Sequence, residues 1–351
     1  MSDAQPIIAP TAIIRLDTDA LLSNWRSLGR LSGQAKAGAA VKANAYGLGA
    51  REVVQKLVAA GCTDFFVANW QEAQEIEDLT AGQGSVSVLN GVRQSDMPFA
   101  LQSPAKPVLN SLEQLARWKQ SGRPCDIMIN SGMNRLGINF EDLDNDLFSG
   151  IAIDIVMSHL ASADQDGPQN AEQLVRYKAA LKIVSGKRTS LANSAGIALG
   201  SDFHFDLTRP GLSLYGGIQR PEFRDVIKQV AVPQAEIIQI RPLRSGDKLG
   251  YNAQYVADRS HDIGILAMGY ADGYLRSFSN QGFFKHQEQL LPVLGRVSMD
   301  LIAIDLESAP DLREGDWVDC EYDLGTASAQ SGLSQYELIT GLGNRLARQW
   351  T

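Results

Sequence analysis

Lys42 ends a short apolar run, Ala39-Ala40-Val41, and opens the segment Ala43-Asn44-Ala45-Tyr46-Gly47. A lysine at the end of a buried strand is partly stripped of water. Desolvation disfavours the ammonium form and frees the amine as a nucleophile, the state from which a Schiff base forms. A solvated lysine at a strand end is the competing reading of the position alone, since most lysines sit in water. Polar residues follow other apolar runs in the same way. They are Asn69, Asn90, Asn110, Asn130 with Ser131 and Arg135 beyond it, His159, Asn193-Ser194, and Arg209 before Pro210-Gly211. Such a recurrence is expected when polar groups converge on one rim.

The elements that must position them alternate along the chain. Strand-like runs fall at 38–41, 64–68, 85–89, 106–109, 126–129, 152–157, 188–192 and 205–208. Amphipathic stretches separate them. Leu21, Leu22, Trp25 and Leu28 keep helical spacing, as do Val53, Val54, Leu57 and Val58, and Leu174, Tyr177, Leu181 and Val184. Leu112, Leu115 and Trp118 form another set, introduced by Ser111 and Gln114 in a capping-box pattern, and Gly61 stands where a helix C-cap glycine belongs. Strands alternating with helices pair in parallel with both faces covered. The fold class expected is α/β, a (β/α)8 TIM-type barrel over residues 12–225. Its seventh connection, 195–204, is too short for a long helix. In such barrels the active-site groups stand at the C-terminal ends of the strands, where these polar residues fall.

After about residue 225 the period changes. Strand-like runs at 235–240, 262–268, 291–294, 301–305 and 317–321 are divided by turn signals such as Ser245-Gly246-Asp247 and Glu314-Gly315-Asp316. A mainly β domain is expected over 226–351, closed by a helix at 335–348, with residues 1–16 a candidate addition to it. The 351 residues suit two domains of roughly 100–200 residues each. Hydrophobic residues make up 44% and the net charge is −8. That acidic balance argues against nucleic acid or an anionic membrane as a partner. Cys62, Cys125 and Cys320 are odd in number and lack metal-ligand spacing, so no metal site is expected and a reducing compartment is. No signal peptide and no membrane-spanning run is read, which makes the expected location cytoplasmic.

Val41-Lys42-Ala43-Asn44-Ala45-Tyr46-Gly47-Leu48-Gly49 resembles the cofactor-lysine motif of alanine racemases. Ser131-Gly132-Met133-Asn134-Arg135-Leu136-Gly137 resembles the arginine motif of the same family. Asn193-Ser194-Ala195, Arg209-Pro210-Gly211, Gly269-Tyr270-Ala271-Asp272-Gly273 and Gly295-Arg296-Val297-Ser298-Met299-Asp300 match further motifs, in the family's order. The resemblance runs from about residue 12 to the C-terminus.

It implies that Lys42 binds pyridoxal phosphate as a Schiff base, and that the substrate is alanine, racemised through an α-carbanion that the cofactor stabilises. Lys42 would exchange the proton on one face of the α-carbon and Tyr270 on the other. In the family that tyrosine comes from a partner subunit, so a homodimer with composite sites is implied. Met299 would offer its backbone N–H to the substrate carboxylate, and Arg135 would meet that carboxylate and the cofactor. Arg209 would face the cofactor's ring nitrogen as a donor that never accepts. His159 would neighbour the ring. Asn193, Ser194, Gly211, Leu212, Tyr46 and Tyr336 would complete the cofactor pocket, with N–H groups of Gly211 and Leu212 turned to the phosphate. A role in making D-alanine as a peptidoglycan precursor is part of the same expectation.

Two positions depart from the family. Many members carry a carbamylated lysine where this chain has Met128, with an acidic residue in place of Asn130. Arg135 must then be held by Asn130 or by a bound anion such as chloride. Ser190 stands where a histidine is common, which alters the relay behind Arg209. A broad-specificity amino-acid racemase is the nearest rival reading. A non-catalytic pyridoxal-phosphate carrier and an amino-acid decarboxylase are more distant ones, against which the β domain and Tyr270 argue.

Overall fold

The computed structural model describes residues 8–351. The chain divides into two compact units, 19–228 and 8–18 with 229–351. The expectation for residues 1–16 falls partly on residues 1–7, outside the described residues.

In the first unit, Asp64–Val67, Ser85–Val88, Lys106–Leu109, Cys125–Asn130, Ile153–Met157 and Arg188–Ser190 form successive parallel pairs, starting from the first strand at Ala39–Ala40. The barrel closes through Leu207–Thr208. That strand pairs in parallel with Lys36–Ala37, which leads into Ala39–Ala40, and Arg209 N–H donates to Ala192 O at 2.9 Å on its other side. These are the eight strands read from the sequence. All four residues of Asp64–Val67 and of Lys106–Leu109 are buried, which is why they read as unbroken apolar runs around one charged terminus. The helices Thr18–Leu31, Ala50–Ala59, Trp70–Thr80, Leu112–Lys119 and Pro168–Ala180 cover the outside. Ser111 caps its helix by accepting the Gln114 N–H at 3.3 Å, but Gln114 Oε1 accepts from Asn110 rather than Ser111, so half of the expected box forms. The seventh connection holds only the short helix Ser194–Ile197.

The opposite, N-terminal end of the barrel is filled with charge. Lys106 bonds Asp154 and lies 3.5 Å from Asp126; Arg188 reaches Asp64 at 2.8 Å and Asp154 at 3.0 Å. Ser87 donates to Asp126 at 2.5 Å. Each buried charge is thereby paired, without which burial would cost several kcal/mol per ion.

In the second unit, Ala231–Leu243 is the organising strand. Its first half pairs with Ala12–Leu16 and with Trp317–Cys320, its second half with His261–Leu266, and the register shifts between Ile237 and Gln239. A bulge of this kind lets one strand bend across two ladders. From His261–Leu266 the ladder continues through Ile302–Asp305, Gln289–Leu294 and Phe283–His286 to Trp317–Cys320, and so returns to its origin. The expected terminal helix 335–348 is corrected. The helix is Gln335–Thr340, capped by Ser334 and stopped at Gly341, and the chain then runs out as strand Ala347–Trp350 beside Ala12–Leu16. Among the described residues, no helix is long and apolar enough to cross a membrane.

Candidate active site

Lys42 follows the first barrel strand and starts a left-handed turn. Ala43, Asn44, Ala45 and Tyr46 have φ of 53°, 53°, 51° and 56°. For residues with a Cβ this conformation costs roughly 1–2 kcal/mol each. The cost is offset by fixed bonds: Glu72 accepts the Ala43 N–H at 2.8 Å, Asn44 Oδ1 accepts the Ala50 N–H at 2.7 Å, and Ala45 N–H donates to Val41 O at 2.8 Å. Backbone strain held this firmly is characteristic of functional loops. The Lys42 amine lies below its ordinary basicity, first because it is half-buried and loses hydration, then because the Arg135 charge is near; Glu72 opposes the effect. More of the amine is therefore neutral and nucleophilic near pH 7 than for a solvated lysine.

Arg209 ends the eighth strand and is 6% exposed. Its Nη1 donates to Ser190 Oγ, and its Nη2 donates to Ser158 O at 2.5 Å and Leu191 O at 3.4 Å. Nε has no acceptor among the described residues, so one N–H remains for another partner. Burial lowers the guanidinium to about 10, which leaves it a cation at neutral pH. His159, after the sixth strand, is pushed down to about 3 by burial and then by the charges of Arg209, Arg135 and Lys42. It is a neutral imidazole among three cations. Lys42, Arg135, His159 and Arg209 thus share one electrostatic environment, and they come from four different strand ends.

After Arg209 the chain turns, and Ser194 meets the backbone of that turn. Ser194 Oγ accepts the N–H of Gly211 at 2.8 Å and of Ser213 at 3.2 Å, which leaves its own proton to donate. The Gly211 N–H is therefore occupied, unlike the expectation from sequence. Leu212, first in the 3-10 turn Leu212–Tyr215, keeps an N–H without an acceptor among the described residues. Ser213 Oγ is buried with no partner. Gly211 cannot carry a side chain without movement: a Cβ would meet the Tyr46 hydroxyl at 2.3 Å, and the Tyr46 ring packs tilted against Tyr215 at 4.8 Å between centroids. Asn193 caps the short helix by accepting the Gly196 N–H at 2.8 Å. Donors without acceptors suit an anion.

Asn130 does not hold Arg135. Its oxygen accepts from Gly132 and Asn134 N–H at 3.1 and 3.0 Å, and its nitrogen donates to Asn134 and Asn139 at 2.9 Å. It shapes the loop instead. Arg135 is exposed in the single chain and has no hydrogen bond or ion pair among the described residues. Met128 is buried. The loop is tied to the rest of the site by residues that sequence reasoning missed. Gln173 donates to Ser131 Oγ at 3.1 Å and His159 O at 3.0 Å, and Ser131 and Ser158 share a bond of 2.7 Å. Glu72 was missed likewise; its place three residues into a helix capped by Asn69 marks it only as a first-turn acid.

The second unit carries Tyr270, Met299 and Tyr336. Tyr270 opens the 3-10 turn Tyr270–Asp272, is half-buried, and has the Arg276 guanidinium 4.7 Å over its ring. Its N–H donates to Ser298 O at 3.0 Å, which brings the Tyr270 and Met299 segments together. Met299 is 52% exposed in the single chain. Tyr336 lies on the helix Gln335–Thr340, whose following Gly341 packs against Gly273 of the Tyr270 turn.

Residues 16–219 match the family model described as the alanine racemase N-terminal domain, and residues 230–350 match that of its C-terminal domain. The chain is 38% identical to the alanine racemase of Rhodospirillum rubrum, over 97% of this chain and 96% of that one. It is also 38% identical to the Rickettsia bellii alanine racemase, over 90% and 81%. Among solved structures, the alanine racemase of Bartonella henselae with covalently bound pyridoxal phosphate superposes with a TM-score of 0.90 at 32% identity, covering 98% of this chain and 100% of that one.

Proposed function

The chain belongs to the alanine racemase family, and on that premise we propose how its own residues carry the family's reaction. The reaction is the interconversion of L-alanine and D-alanine, an isomerisation that depends on pyridoxal phosphate. When bound, that cofactor supplies an electron sink for the negative charge that develops at the substrate α-carbon.

The residues present suit the group. The orphaned Ser213 hydroxyl, the uncommitted proton of Ser194 and the Leu212 N–H, without an acceptor among the described residues, are donors suited to a phosphate, and the Lys42 amine is depressed in basicity. Lys42 would hold the cofactor covalently through its side-chain amine. Ser194, Leu212, Ser213, Asn193, Gly211 and Tyr46, all of the barrel unit, would surround the phosphate. Arg209, a cation whose Nε–H is uncommitted, would donate to the cofactor's ring nitrogen, and neutral His159 would neighbour the ring without adding charge.

Inversion requires that a proton leave one face of the α-carbon and arrive on the other. Lys42 Nζ moves the proton on one face and Tyr270 Oη on the opposite one. Arg135, whose donors are unengaged, and the Met299 N–H hold the alanine carboxylate. Tyr270 and Met299 reach the barrel site of the partner subunit in a homodimer. The barrel unit therefore binds the cofactor, and the β unit completes the neighbour's site. The compartment is the cytoplasm, in keeping with three buried free thiols, and the product serves as a D-alanine precursor of peptidoglycan.

The observation that carries this reading is the position of Lys42: a depressed amine held at a strand end by a strained turn, in the field of Arg135 and itself acting on His159. Reductive trapping of the holoenzyme followed by peptide mass mapping should find the cofactor on Lys42, and light scattering should find a dimer. Attachment at another lysine, or full activity in a monomer, would contradict it.

A further inference from the structure

The segments bearing Tyr270 and Met299 are packed backbone to backbone. Besides the Tyr270 bond to Ser298, Ala271 N–H donates to Met299 O at 3.1 Å. Gly269 permits the approach, since a Cβ there would lie 2.3 Å from Met299 O. One side chain bonds both segments. Arg345 Nε and Nη2 donate to the two oxygens of Asp272, each at 2.8 Å, and its Nη1 donates to Asp300 Oδ1 at 2.7 Å. Asp272 lies two residues beyond Tyr270, is 3% exposed, and also accepts the Gly269 N–H at 2.9 Å. Asp300 directly follows Met299.

The loop that presents Arg345 is itself fixed. Gly343 N–H donates to Asp272 O at 3.0 Å. Arg348 donates to the carbonyls of Gly343, Leu346 and Leu342 at 2.9, 2.7 and 3.1 Å. A guanidinium is a planar fork whose donors have fixed directions, so two carboxylates bound to it have a fixed separation. A lysine in the same place would supply charge without that geometry.

We propose that Arg345 is a positioning residue that sets the distance between the Tyr270 hydroxyl and the Met299 N–H, and so aligns the proton carrier with the group that holds the substrate carboxylate. The proposal rests on the roles given above to Tyr270 and Met299. Its two arms are separable. The bidentate arm to buried Asp272 fixes the tyrosine turn; the single arm to exposed Asp300 fixes the methionine segment. Loss of the first displaces the proton carrier, and a shift near 1 Å costs on the order of a hundredfold in rate.

The test compares Arg345→Ala, Arg345→Lys, Asp300→Asn and Tyr270→Phe as purified holoenzymes. Arg345→Ala should lower kcat by about 10- to 100-fold at unchanged cofactor content. It should also speed hydrogen exchange at the Tyr270 and Ala271 amides by about tenfold or more, in the cofactor-free protein as well. Arg345→Lys should restore little of either. Added guanidinium at non-denaturing concentration should restore part of the Arg345→Ala rate. Asp300→Asn should raise the KM for alanine by about threefold to tenfold and spare kcat. Wild-type kcat and wild-type amide exchange in Arg345→Ala would overturn the proposal, as would full recovery in Arg345→Lys. If Arg345→Ala does not fold, Arg345→Lys and Asp300→Asn decide the matter. Normal racemisation by Tyr270→Phe would instead overturn the role of Tyr270 on which the proposal stands.

Discussion

Glu72 accepts the backbone N–H of Ala43 at 2.8 Å through one carboxylate oxygen and that of Ala68 at 2.7 Å through the other. It thereby joins the strained turn after Lys42 to the end of the second barrel strand. Glu72→Ala should destabilise the protein by about 2 kcal/mol, because two N–H groups lose their acceptor at once. It should also lower covalent cofactor occupancy, since the turn that aims Lys42 is no longer held. Urea unfolding and absorbance titration with pyridoxal phosphate check both effects. Glu72→Gln keeps one acceptor and should fall between.

Gly211→Ala tests the proposed phosphate site. The added methyl must displace the Tyr46 ring, which Tyr215 backs, at a cost of about 1–3 kcal/mol. Cofactor affinity should fall by roughly ten- to a hundredfold with the fold intact, as measured by equilibrium dialysis on the cofactor-free protein.

His159 sets a pH dependence of stability. Its folded value of about 3 lies below the ordinary 6.5, so unfolding takes up a proton between those limits. Stability should therefore fall as pH drops below about 6.5, with a slope of up to about 1.4 kcal/mol per pH unit, and this ring should contribute no slope above that pH. His159→Gln should flatten that part of the curve. Urea midpoints across the window, with the ring followed by NMR, make the check.

The barrel was legible because its strands are buried on both sides and read as apolar runs, with the chemistry at their ends. Lys42, His159 and Arg209 stood out for the same reason. The asparagines that follow other strands stood out too, but Asn69 caps a helix and Asn130 folds a loop. The left-handed turn was invisible, since alanine does not announce positive φ and the bonds that impose it come from Glu72. Patterning marks only 235–240 of strand Ala231–Leu243, since Pro233 and Pro242 lack the N–H that a ladder uses. The expected helix 335–348 overruns into strand Ala347–Trp350 by two residues, because the parallel pairing of that strand to Ala12–Leu16 is remote in sequence. Arg345 gave no signal, since its partners lie 73 and 45 residues away.

Ser190→Ala should expose the altered relay behind Arg209. The variant leaves Nη1 of a buried cation without its acceptor, at an expected cost of about 1–3 kcal/mol in stability. Thermal unfolding checks the cost. A variant as stable as the parent would mean that Arg209 is held by the Ser158 and Leu191 carbonyls alone.

The division of proton transfer between Lys42 and Tyr270 is tested most directly in heavy water. Tyr270→Phe holoenzyme is incubated with each alanine enantiomer, and α-deuteration and chirality are followed together. The expected result is deuterium exchange with retained configuration from one enantiomer only, with racemisation reduced by about a hundredfold or more. Equal exchange from both enantiomers accompanied by racemisation at the parent rate would contradict it.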